Sequence, residues 1–96
     1  MPAKGRPRVT YTDKAASVVE AHIDRLDFGA VLDALAALHA GRLDDLDIRA
    51  VPGRDGWSRI IVGDWRITMY RHSRGVIVAD LVTHAELLGP VWPIKE

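Results

Sequence analysis

Apolar positions follow two different rhythms along this chain. In the first half they recur every three or four residues. Ala15, Ala16, Val19, His22, Ile23 and Leu26 keep that spacing behind an N-cap at Thr12 or Asp13, which predicts a helix over residues 13–26. Asp27 opens a second helix, whose buried stripe holds Phe28, Val31, Leu32, Leu35, Leu38 and His39 and which Gly41 stops. With almost no linker between them, the two should form an antiparallel helical hairpin. Ahead of them, Arg8–Tyr11 reads as a short strand with Val9 and Tyr11 on one face. Residues 1–7, with Pro2, Gly5 and Pro7, read as a flexible start.

From Trp57 the period drops to two. Residues 57–62 form a strand, and Gly63-Asp64 is a two-residue turn with glycine first, as a type II′ hairpin requires. Residues 65–71 return, Ser73-Arg74-Gly75 suits a three-residue loop, and 76–83 make a Val- and Ile-rich third strand. Residues 42–56 read as irregular, anchored by Leu43, Leu46, Ile48 and Val51, with turn signals at Pro52-Gly53 and Asp55-Gly56. In the tail, 87–96, Leu88, Val91 and Trp92 could pack back on the core. The expectation is one α+β domain over residues 8–96, an N-terminal helical hairpin packed on a small antiparallel sheet.

The hairpin turn sets a register. Val62 faces Trp65, Ile60 faces Ile67 and Ser58 faces Met69, a mostly apolar set that should lie on the helices. The other face pairs Ile61 with Arg66, Arg59 with Thr68 and Trp57 with Tyr70. A three-residue second loop would add Val78 beside Tyr70, Asp80 beside Thr68 and Val82 beside Arg66, with His84 extending the row. A one-residue slip in that loop would send Asp80 and His84 to the opposite face.

Composition narrows the classes. At 96 residues, 48% apolar and 27% charged, the chain has an ordinary globular balance. It has no cysteine, hence no disulfide and no thiolate metal site. The longest apolar stretch, residues 28–40, is interrupted by Asp33 and too short to span a bilayer. A soluble cytoplasmic protein is expected. Net charge is zero but uneven. Residues 27–47 carry five acids and one base, whereas 48–74 carry six arginines against two aspartates. An arginine-only basic segment suits phosphate or carboxylate recognition and suggests a polyanion or an acidic protein partner.

The open face thus gathers Arg59, Arg66, Tyr70, Asp80 and His84. Metal-free RNA cleavage needs a base for the 2′-OH, cations for the charged phosphorane and an acid for the leaving 5′ oxygen. Arg59 and Arg66 could hold the phosphate, His84 could move the proton, and Trp57 or Tyr70 could stack on a base. Each has a plainer reading as well. Arg66 could pair with Asp80, His84 could cap the strand, and Trp57 and Tyr70 could simply cover the sheet. His22 and His39 read as structural and His72 as solvated. No histidine pair has metal spacing, and no phosphate loop, nucleophile elbow or dinucleotide fingerprint is present.

Two helices followed by Arg59-Ile60-Ile61-Val62-Gly63-Asp64-Trp65-Arg66-Ile67, a tyrosine at 70 and a valine-rich strand resemble the RelE/ParE superfamily of bacterial type II toxin–antitoxin toxins. The family stretch reads R-x-R-x-G-D/N-Y/W-R-hydrophobic; here G-D-W-R is kept and the second arginine is replaced. Thr83-His84-Ala85-Glu86 resembles the T-H-A-E ending of HigB-like members. The resemblance spans residues 8–88. It implies a toxin that cuts ribosome-bound mRNA without metal or cofactor. Arg66, His84 and Arg59 would be catalytic, and Arg54, Trp57, Tyr70 and Arg71 would bind substrate. A cognate antitoxin would be the partner, in a toxin–antitoxin hetero-oligomer. The family's basic residue after the histidine is Ala85 here, the aromatic that follows is Leu87, and the usual strong positive charge is missing. Two alternatives stay open: a ParE-like gyrase poison, and an inactive interaction module of the same fold.

Overall fold

The structure, a computed structural model, describes residues 8–85. The expected flexible start at 1–7 and the packing of the tail at 87–96 lie outside the described residues. Strand β1 (Arg8–Tyr11) leads into helix α1 (Asp13–His22), a 3₁₀ turn at Leu26–Phe28 and helix α2 (Gly29–His39). A second 3₁₀ turn at Leu43–Asp45 precedes strands β2 (Ile48–Ala50), β3 (Trp57–Val62), β4 (Trp65–His72) and β5 (Gly75–Thr83). The five strands form one sheet in the order β1-β5-β4-β3-β2.

The α+β class holds, but the sheet is mixed rather than antiparallel. β1 runs parallel to β5, pairing Arg8 with Gly75 through Tyr11 with Val78. The crossover α1–α2 makes this possible, because parallel neighbours need a long connection. Residues 48–50, read as irregular, instead close the other edge by pairing antiparallel with β3.

Strand alternation buries Ser58, Ile60, Ile67, Met69, Val76, Val78 and Leu81 on one face. There the apolar members of this set form one core with Ala15 of α1 and with Phe28, Val31, Ala34, Leu35 and Leu38. The helices themselves are shorter than their apolar spacing suggests. α1 stops at His22, Arg25 is extended, and Leu26 is 99% exposed. The break lets Phe28 drop between His22 and Trp65, with ring centroids 5.4 and 5.2 Å away. His22 is structural, as expected: its Nδ1 bonds the Val18 carbonyl at 2.9 Å and its ring meets Trp65 edge-on. His39 is exposed rather than part of the buried stripe, and shares a 2.8 Å hydrogen bond with the Tyr11 hydroxyl. Burial raises the Tyr11 pKa above the ordinary phenol value.

The β3–β4 register is the expected one, Val62 opposite Trp65 through Trp57 opposite Tyr70. The second loop is not. His72 pairs with Gly75, so the turn is the two residues Ser73-Arg74, and Tyr70 faces Ile77 instead of Val78. Asp80 nonetheless sits beside Thr68, because the register shifts by one between Thr68 and Met69. Ala79 is the extra residue, a β-bulge that cancels the shorter turn.

The bulge is braced from α1. The Thr12 hydroxyl donates to the Ala79 carbonyl at 2.7 Å and accepts the Ala15 N–H at 3.1 Å as the helix N-cap. Its own N–H bonds the Val78 carbonyl at 3.0 Å. Thr12→Ala removes both side-chain bonds and is expected to cost about 1–2 kcal/mol in urea denaturation, whereas Thr12→Ser should stay close to wild type.

Candidate nucleic-acid interface on the open sheet face

The face turned away from the helices is half-buried rather than closed. Its residues stand in rows across the strands, one row every second residue, about 7 Å apart. The first row joins Trp57 to Tyr70, the second Arg59 to Thr68 to Asp80, and the third Ile61 to Arg66 to Val82. Arg49 on β2 extends the second row, directly opposite Arg59.

At the first row, Tyr70 lies 5.3 Å from Trp57 and stacks on His72 at 6.3 Å. The Arg54 guanidinium sits 4.9 Å above the Trp57 ring, a cation–π contact that ties the preceding loop to the sheet. Gly56 keeps this corner open. Its φ is +84°, and a Cβ there would come within 2.7 Å of Tyr70 Cε1.

In the second row Arg59 is half-buried, and its buried Nε has no hydrogen-bond partner among the described residues. Asp80 does not pair with Arg66. Its Oδ2 is 3.2 Å from Lys14 Nζ, and its Oδ1 accepts the Leu81 N–H at 2.9 Å. Arg49 is spoken for by Asp47, which holds its fork at 3.0 and 3.2 Å and raises its pKa.

Arg66, in the third row, donates from Nη1 to the carbonyls of Gly63 and Trp65 at 2.8 and 3.0 Å. Its fork is therefore held by the turn, and among the described residues no carboxylate pairs with it. His84 follows β5 at this end. Its N–H bonds the Asp64 carbonyl at 2.6 Å, and its side chain is exposed. This hydrogen bond ties the end of β5 to the β3–β4 turn, next to Arg66 on β4.

Of the residues singled out from sequence, Arg54, Trp57, Tyr70, Arg59 and Arg66 share this face, and His84 stands at its turn end. Arg71 does not join them, since alternation puts it on the helix side of β4, exposed past the end of the core. Lys14 and Arg49 were not foreseen. Arg49 follows the anchor Ile48, and a period-two reading of that pair was the only signal for it. Among the described residues, no group of three or more His, Asp or Glu side chains is placed to hold a metal ion. No described helix is long and apolar enough to cross a membrane.

Neither a protein-family model nor a curated protein sequence matches the chain. Solved structures do. The E. coli DinJ–YafQ toxin–antitoxin complex contains a chain that superposes with a TM-score of 0.71 at 18% identity, covering 88% of this chain and 99% of its own. The chain has the fold of the RelE-type toxins. A second structure of the E. coli DinJ–YafQ complex gives 0.67 at 16% identity, over 88% of this chain and 100% of the other. The RelB–RelE antitoxin–toxin complex of Methanococcus jannaschii gives 0.60 at 15% identity, over 84% and 96%. In this RelE-fold chain, the sheet face opposite the helices concentrates arginine and aromatic side chains.

Proposed function

We propose that this RelE-fold chain is the toxin of a type II toxin–antitoxin pair and cleaves ribosome-bound mRNA in the cytoplasm. One observation carries the reading: the open sheet face presents Arg59 and Arg66 with no carboxylate among the described residues paired to either. Unneutralised guanidinium groups side by side suit a phosphodiester, whose charge grows as the phosphorane forms. The 2′ oxygen attacks phosphorus after giving its proton to a base. The P–O5′ bond then breaks, the 5′ oxygen takes a proton, and a 2′,3′-cyclic phosphate is left. Arg66, with Arg59 beside it, holds the phosphate. His84 is the proton-transfer group, acid or base, because imidazole can do either near neutral pH. Trp57 and Tyr70, with Arg54 over Trp57, form a stacking wall for the bases that flank the cut. Arg71 has no place in this row. The partner is a cognate antitoxin that covers the face and forms a hetero-oligomer with the toxin.

The test is primer extension on a reporter message after brief induction of the protein without its partner. New 5′ ends inside translated codons are expected, and they should vanish when the start codon is removed. Arrested growth with intact messages would replace this reading with non-enzymatic poisoning, as in the gyrase-directed members of the superfamily.

A further inference from the structure

Between the aromatic row and the Arg66 row, the open face is concave. Lys14, Arg54, Trp57, Arg59, Thr68 and Asp80 are among the residues that line a hollow of about 480 Å³, a volume in the range of small-ligand sites. Arg59 and Asp80 flank Thr68 from the two neighbouring strands. Two strand spacings put their backbones about 10 Å apart. They do not pair with each other, and Arg59 has no partner among the described residues, its Nε being buried without one.

The hollow sets three cations, Lys14, Arg54 and Arg59, beside a single carboxylate, Asp80, so it offers an acceptor that a bare phosphate site lacks. A ligand here must offer acceptors toward Arg59 and donors toward Asp80. The Asp80 carboxylate is already oriented, with Lys14 on Oδ2 and the Leu81 N–H on Oδ1. A carboxylate has about four lone-pair sites, so both oxygens can still accept. Those two anchors turn a flexible side chain into a fixed fork. The bulge at Ala79 is what places that fork on this face at all.

We propose that this hollow reads a guanine base of the bound RNA, with Arg59 on O6 and N7 and Asp80 on N1–H and the 2-amino group. Guanine presents two adjacent acceptors on one edge and two adjacent donors on the next, which matches a guanidinium on one side and a carboxylate on the other. Adenine would turn N1, an acceptor, toward the carboxylate. The pyrimidines carry their polar atoms on one short edge and do not span the two forks. Thr68 lies between the forks, and the Trp57–Tyr70 row beside the hollow stacks the neighbouring base. The assignment rests on the reading of this face as an RNA surface. It gives Arg59 the narrower task of base recognition and leaves the scissile phosphate chiefly to Arg66.

The test is binding of the isolated protein to single-stranded trinucleotides whose middle base is guanine, inosine or adenine, followed by chemical shifts of the Thr68 and Ala79 amides. Guanine is expected to bind about 5- to 150-fold more tightly than adenine, the discrimination expected of a bidentate pair. Inosine, which lacks the 2-amino group, should fall between them. Asp80→Asn should bring the guanine-to-inosine ratio to about one and leave adenine binding where it was. Equal binding of all three by the wild type, or no shift at Thr68 and Ala79 with the guanine trinucleotide, overturns the proposal, and neither result needs a variant to fold. Guanine preference without any cutting of translated messages would sink only the ribonuclease reading. Cutting together with equal binding of the three bases would sink only the guanine assignment.

Discussion

Arg66→Ala is expected to lower the cutting of translated messages by about 10²- to 10³-fold, the loss seen when one preorganised charge-stabilising donor is removed from an active site. The size follows from its position. Its fork is oriented by the Gly63 and Trp65 carbonyls, and only Nη1 is used in doing so. Orientation is thus settled before substrate arrives, and the other donors are free to follow the charge that develops on phosphorus. The same geometry predicts little structural damage. The two bonds lie at a hairpin turn and go to backbone oxygens, so their loss should cost about 1 kcal/mol. Cutting is read by primer extension and stability by thermal melting. A collapse of cutting with a nearly unchanged Tm assigns Arg66 to the chemistry. An undiminished cutting pattern removes it from the site. Arg66→Lys should recover little, since an ammonium cannot keep the fork geometry.

The largest effect on stability is expected at Phe28. It is fully buried, and its ring meets those of His22 and Trp65 in one aromatic corner. Phe28→Ala leaves a cavity where both helices and the β4 end of the hairpin converge, at a cost of about 3–5 kcal/mol. Small domains have total stabilities of about 5–15 kcal/mol, so the variant should melt about 12 °C lower or more. Phe28→Leu, which refills most of the volume, should recover the larger part. A shift of only a few degrees for Phe28→Ala would mean that the aromatic corner is not a support of the fold.

Much of the second half was legible because one turn dictates it. Gly63-Asp64 pins the β3–β4 register, and every pair from Val62–Trp65 to Trp57–Tyr70 follows from it. The placement of Asp80 beside Thr68 was also right, but for a different physical reason. A three-residue loop was expected to put it there, whereas a two-residue turn and a bulge at Ala79 do so together. A bulge leaves no mark in the hydrophobic pattern beyond a small residue, so two compensating shifts look like none. The first half was less legible. Apolar spacing carried the first helix on to Leu26, which the structure leaves in solvent, because spacing cannot tell a buried apolar residue from an exposed one. The parallel partner of β1 and the three-residue edge strand β2 depend on contacts between distant parts of the chain. No local pattern encodes them.

For the candidate site, strand alternation was enough to bring Arg59, Arg66 and Tyr70 to one face. What it could not supply were the pairings made from other elements. The plainer reading of Arg66, an ion pair with Asp80, fails because Lys14 reaches Asp80 from α1. Arg71, one position along from Tyr70, falls on the wrong side for the same reason that Tyr70 falls on the right one.

The parallel pairing of β1 with β5 has a consequence for how the chain is made. Synthesis runs from the amino end, yet Arg8–Tyr11 find their strand partners only at residues 75–78. The Thr12 cap of the first helix closes on Ala79, equally far along. The earliest strand and the helix behind it must therefore wait, unlatched, until almost the whole described chain has left the ribosome. Contacts of such long sequence separation form late and slowly. A nascent copy would therefore carry its arginine rows on β2–β4 before the sheet is closed by β1, which waits for residues 75–78 to emerge.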